Sequence, residues 1–240
     1  MNFTVVRANI VNISADAVVL PANEKLKEGS GTSRAIFNAA GRAELTKACR
    51  EIGHCETGYA VPTLAFDLNA KFIIHAVVPK WIDGEHDEYG LLSSAYLTSM
   101  KLADLMGCES IAFPLLASGN NGFDRSIAFE IAKRSINEFK GEKLQKVILV
   151  IYGENTESFV RSKGYDVTII SETEPAHKIK FPDEAKEAVM QALKAAGNWL
   201  KDEKHRKILL EAGLDIALIV LPAKGKPAHV FGAIKKIFEK

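Results

Sequence analysis

The sequence predicts an α/β fold, with a largely parallel sheet covered by helices on both faces. Three observations point there. Short apolar, β-branched runs recur up to about residue 170, segments of helical period alternate with them, and glycines mark the junctions. Strands that alternate with helices of this length are joined by crossovers, which align the strands in parallel and cover both faces.

In chain order, the expected strands begin with Asn2–Val6 and Ala17–Leu20. A helix follows Gly31 and stops at Gly41. Phe72–Val78 is the next strand, apolar on both faces as a buried parallel strand must be. A helix over Tyr89–Met106 ends at Gly107 and leads to the strand Ser110–Leu115. Ile127, Ala128, Ile131, Ala132, Ile136 and Phe139 then recur at three- and four-residue spacing on one helix face, with Asp124 or Ser126 as the cap and Gly141 beyond the end. Val147–Tyr152 and Val167–Ile170 complete the strands.

The pattern breaks at Ser171–Pro182, which reads as a linker. Asp183 caps a long helix whose face carries Ala185, Val189, Leu193, Ala196 and Leu200, and Gly213 ends a following helical stretch. Ile216–Leu221 is a short apolar run, Pro222 and Pro227 bracket a turn, and Val230–Phe238 forms a last amphipathic helix. The expected organisation is a domain over 1–170, a linker over 171–182 and a mainly helical extension over 183–240, whose apolar faces offer a surface for self-association.

Composition limits the function classes. With 47% hydrophobic and 25% charged residues in 240, the chain affords a large core and is not generally disordered. Its 31 basic and 30 acidic residues leave a net charge of +1, too little to hold nucleic acid or an anionic membrane by bulk charge, so no nucleic acid or membrane partner is expected. Residues 181–240 are slightly basic and the remainder slightly acidic. Cys49, Cys55 and Cys108 are too few for a disulfide scaffold and suit a reducing compartment. With no basic stretch leading into an apolar run at the N-terminus, a cytoplasmic protein is expected. Cys49, His54 and Cys55 do not have a standard metal-ligand spacing, and no metal or cofactor is expected. His75, inside an apolar strand, reads as a hydrogen-bonded core residue.

Two glycine-rich loops carry the chemistry. The first, Asn23 to Ser33, follows the second strand; it contains Gly29, Ser30, Gly31 and Thr32. The second, Ala117-Ser118-Gly119-Asn120-Asn121-Gly122-Phe123, follows the strand Ser110–Leu115. Each places small residues between a strand and a helix, where backbone N–H groups can approach an anion. Neither has the Gly-Lys-Ser/Thr of a P-loop nor the spaced glycines of a dinucleotide fold. Side by side at the carboxyl ends of neighbouring strands, they would clasp a diphosphate.

The residues that carry these loops resemble the macrodomain family. Leu20-Pro21-Ala22-Asn23 through Ala39-Ala40-Gly41 is similar to its first ligand loop, and Cys55-Glu56-Thr57-Gly58 to a turn before a strand. Phe72 to Trp81 is similar to its central strand, and Ser110 to Phe123 to its second ligand loop. The resemblance stops at about residue 170. It implies a three-layer α/β/α fold with a mixed, largely parallel sheet and a cleft for ADP-ribose or an ADP-ribosylated protein. It also implies an ADP-ribosyl hydrolase or O-acetyl-ADP-ribose deacetylase that cleaves esters of ADP-ribose. By the same resemblance, Asn23 binds and positions the distal ribose as the catalytic residue. Gly29, Ser30, Gly31, Thr32 and Ser33 line the ribose and diphosphate, as do Ala117, Ser118, Gly119, Asn120, Asn121, Gly122 and Phe123. Asn9 meets the adenine, the Ile10 N–H lies near the base or a phosphate, and Tyr152 packs beside the adenine.

Four positions depart from the family pattern. Asn9 stands where an Asp is usual, and its amide oxygen accepts a hydrogen bond without charge assistance. Ser33 stands at the place of a common Asp and is a poor base. Ser30 replaces the middle glycine of a triplet. Asn120-Asn121 replaces an aliphatic–aromatic pair over the distal ribose and makes that lid more polar. These departures motivate a second reading, a non-catalytic ADP-ribose reader or a scaffold that acts through the C-terminal extension.

Overall fold

The structure is a computed structural model, and it describes residues 1–170. The expected linker and C-terminal extension lie outside the described residues. Seven strands form one sheet. They are β1 (Asn2–Arg7), β2 (Ala17–Ala22), β3 (Ala60–Leu64), β4 (Phe72–Val77), β5 (Ser110–Pro114), β6 (Lys146–Ile151) and β7 (Val167–Ile169). Their spatial order is β3-β4-β2-β5-β6-β1-β7, and every neighbouring pair is parallel except β3 with β4. The helices are α1 (Thr32–Ala40), α2 (Arg42–Ile52), α3 (Glu88–Leu105), α4 (Arg125–Glu138) and α5 (Glu154–Ser162), with a 3-10 turn at Ile10–Asn12.

Strand alternation sorts the core into two layers. Ala17, Val19, Phe72, Ile74, Ile111, Phe113, Val147 and Leu149 face α3 and α4, meeting Tyr96, Met100, Phe129 and Ala132. Val18, Leu20, Ile73, Ala112, Ile148 and Val150 face the other way, meeting Ile36, Phe37, Leu45 and Cys49 from α1 and α2. The expected three-layer α/β/α architecture is therefore present. Asp124 is the cap of α4, its Oδ1 accepting from the N–H of Ser126 at 2.9 Å and of Ile127 at 3.2 Å.

One buried polar cluster interrupts the apolar layers. His75 is fully buried in β4, 3.0 Å through Nε2 from Thr63 Oγ1, and Cys49 Sγ lies 3.9 Å from both ring nitrogens. This is the core role read from the sequence. Burial pushes the imidazole down to about 3, so it is neutral in the fold. It also pushes the Cys49 thiol up to about 12, which keeps it protonated and unreactive.

The sign of the pH effect follows. An unfolded histidine takes up a proton near pH 6.5, well before the folded one, so protons favour the unfolded chain between those values. This contribution to stability is whole above about pH 6.5 and is lost as the pH falls toward about 3. Thermal midpoints are expected to drop across that window in the wild-type chain, and to drop less steeply in His75→Gln, by calorimetry at a series of pH values.

Candidate functional site

The cleft forms where β2 and β5 part. These strands pair only at Ala17↔Ile111 and Val18↔Ala112, whereas β2 follows β4 through six pairs and β5 follows β6 through five. After β2 the chain moves toward β3 and β4 through α1 and α2, and after β5 it moves the other way through α4 to β6. This is a topological switch point, where an open α/β sheet leaves a crevice beyond the strands' carboxyl ends. The two glycine loops meet there around a cleft of about 670 Å³.

The first loop is built to hold its shape. Asn23 Nδ2 donates to the Lys27 carbonyl at 2.7 Å, and its Oδ1 accepts from the Lys27 N–H at 3.2 Å. Leu26 turns its buried side chain into the core at φ 52. Ser33 Oγ accepts from the Gly29 N–H at 3.0 Å, closing the loop onto α1. Gly31 precedes α1 at φ 56 and ψ −126, a conformation open to glycine. No side chain caps α1, so the N–H groups of its first turn are open at the cleft.

The second loop leads into α4 through the Asp124 cap read from the sequence. Asp124 occupies the Ser126 and Ile127 N–H groups of α4, so the open donors on this side belong to the loop itself. Within the loop, the Gly122 N–H binds Gly119 O at 3.0 Å and the Phe123 N–H binds Ala117 O at 3.2 Å. Among the described residues, the N–H groups of Ser118, Gly119, Asn120 and Asn121 make no backbone hydrogen bond. Ala117 sits at φ 62, a strained conformation for a residue with a Cβ. Asn121 pins the loop to the strap after β4, donating to Pro79 O at 2.8 Å while its own carbonyl accepts from the Trp81 N–H at 2.7 Å.

The two loops touch across the cleft. Asn120 Nδ2 donates to Ser30 Oγ at 2.6 Å, joining residues 90 apart in the chain. Both stand where the resemblance implies other residues, and together they form a polar bridge over the cleft that neither loop alone reveals.

Of the residues singled out in the sequence, Asn23, Gly29–Ser33, Ala117, Gly119, Asn120 and Asn121 line this cleft. Ser118 turns its hydroxyl back to Leu115 O at 2.9 Å, and Gly122 forms the turn behind the lining. Phe123 is only 4% exposed and packs edge-on against Trp81 at 5.3 Å, where it anchors the loop from below. Asn9 caps the 3-10 turn through a 3.4 Å bond from the Val11 N–H, and Ile10 is a buried residue of that turn. Tyr152 is 78% exposed just beyond β6. Asn9, Ile10 and Tyr152 do not line the cleft; they follow the ends of β1 and β6, which stay in register to Arg7↔Ile151.

The cleft also contains side chains without a role in the sequence reading, among them Glu24, Lys25, Thr57 and Lys80. Their motifs were visible, but the contacts between them were not. Thr57 Oγ1 donates to Glu24 Oε1 at 2.9 Å across 33 residues. Lys25 and Lys80 make no ion pair among the described residues, so they add positive potential at the cleft. Asp83, His86 and Glu88 bring ligand atoms within 4.8 Å of one another. Glu88, however, already accepts from the N–H groups of Ile82, Asp83, Gly84 and His86. Its burial raises the carboxyl, but these backbone donors outweigh that and hold it at about 2. The cluster is a loop anchor.

Residues 19–132 match the model of the Macro domain family. An O-acetyl-ADP-ribose deacetylase of Escherichia fergusonii is 45% identical over 139 residues, 56% of this chain and 78% of the relative. The chain belongs to the macrodomain family. The Escherichia coli O-acetyl-ADP-ribose deacetylase is 40% identical over 62% of this macrodomain chain and 88% of its own. The Oceanobacillus iheyensis macrodomain with ADP is 30% identical, with a TM-score of 0.63 over 66% of this chain and 87% of that one. A mutant of it with ADPR scores the same over 89% of its chain. Among the described residues, no helix is long and apolar enough to cross a membrane.

If the bridge holds the macrodomain's loops together, Asn120→Ala is expected to speed hydrogen exchange at residues 118–121 several-fold, by mass spectrometry, while exchange in β5 and β6 stays unchanged.

Proposed function

We propose that this macrodomain binds ADP-ribose between its two glycine loops and hydrolyses esters of ADP-ribose, either O-acetyl-ADP-ribose or ADP-ribose ester-linked to protein. The observation that carries this reading is one cleft faced by open N–H groups from both loops. Such donors suit the two negative charges of a diphosphate and are in place before the ligand arrives. The deacetylases at 40–45% identity support the ester as the reacting bond.

The roles follow from donor and acceptor counts. The Asn23 amide spends one hydrogen and one lone pair on Lys27, which leaves one of each for the hydroxyls of the distal ribose. The staple to Lys27 pre-orients the amide, so little side-chain entropy is lost on binding. The two loops hold the diphosphate, and the exposed ring of Tyr152 with Asn9 forms the shelf for adenine. Holding both ends fixes the ester for attack by water.

The reader hypothesis is favoured by one observation. Ser33 is 4% exposed and committed to the Gly29 N–H, so it supplies no base. An ester-release assay separates the two. Incubation with O-acetyl-ADP-ribose or mono-ADP-ribosylated protein is expected to yield free ADP-ribose, and Asn23→Ala is expected to lose at least 10-fold in turnover while still binding ADP-ribose. Unchanged turnover in that variant contradicts its role, and binding without any release favours the reader.

A further inference from the structure

We propose that Glu24 is the general base of this hydrolysis, an assignment that rests on the ester-hydrolase reading above. Attack on an ester is accelerated by a positioned group that takes the proton from the incoming water. Ser33 does not provide one. Among the described residues that line the cleft, Glu24 is the one that bears a carboxylate. The neighbouring acids are engaged elsewhere: Glu28 pairs with Arg42 at 3.1 Å, and Asp124 caps α4.

Glu24 is held in a defined place. Its carbonyl accepts from the Cys55 N–H at 2.9 Å, and its Oε1 accepts from Thr57 Oγ1 at 2.9 Å. The turn before β3 thus grips both the backbone and one carboxylate oxygen, and Oε2 has no hydrogen-bond partner among the described residues. Glu24 also directly follows Asn23, so base and ribose-holding amide lie side by side on the cleft wall. Thr57 is a positioning residue in this arrangement, acting through the carboxylate it orients.

The step balances without a cofactor. The water oxygen forms a bond to the ester carbonyl carbon as its proton passes to Oε2 of Glu24. The bond from that carbon to the ribose oxygen then breaks, and Glu24 returns the proton to the departing ribose oxygen. The products are ADP-ribose and a carboxylic acid, and the carboxylate is regenerated.

Glu24→Gln preserves the side chain's shape and an oxygen for Thr57 but cannot take a proton. In that variant kcat on O-acetyl-ADP-ribose is expected to fall about 100-fold, within the range a positioned base contributes. KM and ADP-ribose affinity are expected to stay as in wild type, and the acidic limb of the kcat–pH profile to disappear. Thr57→Val is expected to lower kcat by a smaller factor and to keep the limb. If wild type turns over and Glu24→Gln keeps its rate and its limb, the assignment is overturned and the hydrolase reading stands. Loss of ADP-ribose affinity in step with rate overturns it equally, because Glu24 would then only shape the loop. If wild type binds ADP-ribose and releases no product, the hydrolase reading fails and takes the assignment with it.

Discussion

The geometry of the cleft depends on how β2 is held at its amino end. Asp16, just before β2, pairs through Oδ1 with Lys71 Nζ at 2.6 Å, next to β4. Its Oδ2 accepts from the N–H groups of Glu109 and Ser110 at 2.9 and 3.0 Å, at the start of β5. One carboxylate thus ties β2 to both neighbours. Burial works against its charge, but Lys71 and the backbone donors outweigh this, so its pKa lies below the usual carboxylate range. With the lower ends fixed and only two pairs joining β2 to β5, the strands separate upward. The crevice is the consequence.

That arrangement explains how a chain with a net charge of +1 can grip a dianion. Its overall field does little. In the proposed reading the local field of open N–H groups at α1 and in the second loop does more, because they are fixed dipoles aimed at one volume. The Lys25 and Lys80 ammonium groups add to it at the surface, where salt screens them. Side chains serve chiefly to shape the backbone: Asn23 staples to Lys27, Ser33 to Gly29, Asn121 to the strap after β4, and Asn120 to Ser30.

Local chemistry made much of this legible before any coordinates. The parallel strands showed as apolar β-branched runs, and α4 showed by its period and by Asp124. β3 carried no such signal beyond the resemblance, since Pro62 interrupts a five-residue run that lies on the sheet edge. α2 had its apolar stripe at Leu45, Ala48, Cys49 and Ile52 but no polar cap, because Gly41 ends α1 and begins α2. The loops were found from small residues after strands, yet their internal wiring was not. Contacts such as Ser30 with Asn120 and Glu24 with Thr57 join residues far apart in sequence, which neither periodicity nor propensity encodes. The helix behind the second loop carries the Asp124 cap read from its sequence, which leaves the loop's own N–H groups as the open donors.

The central claim is that backbone N–H groups of two loops hold the diphosphate. Its most direct test is an amide chemical-shift titration with ADP-ribose, run in parallel with adenosine. The account predicts that ADP-ribose moves the amides of Ser30–Ser33 and Ser118–Asn121 most, that adenosine leaves them in place, and that both ligands perturb the region around Asn9 and Tyr152. Shifts confined to that region, or spread over lysine-bearing surface with both loops unmoved, would contradict it.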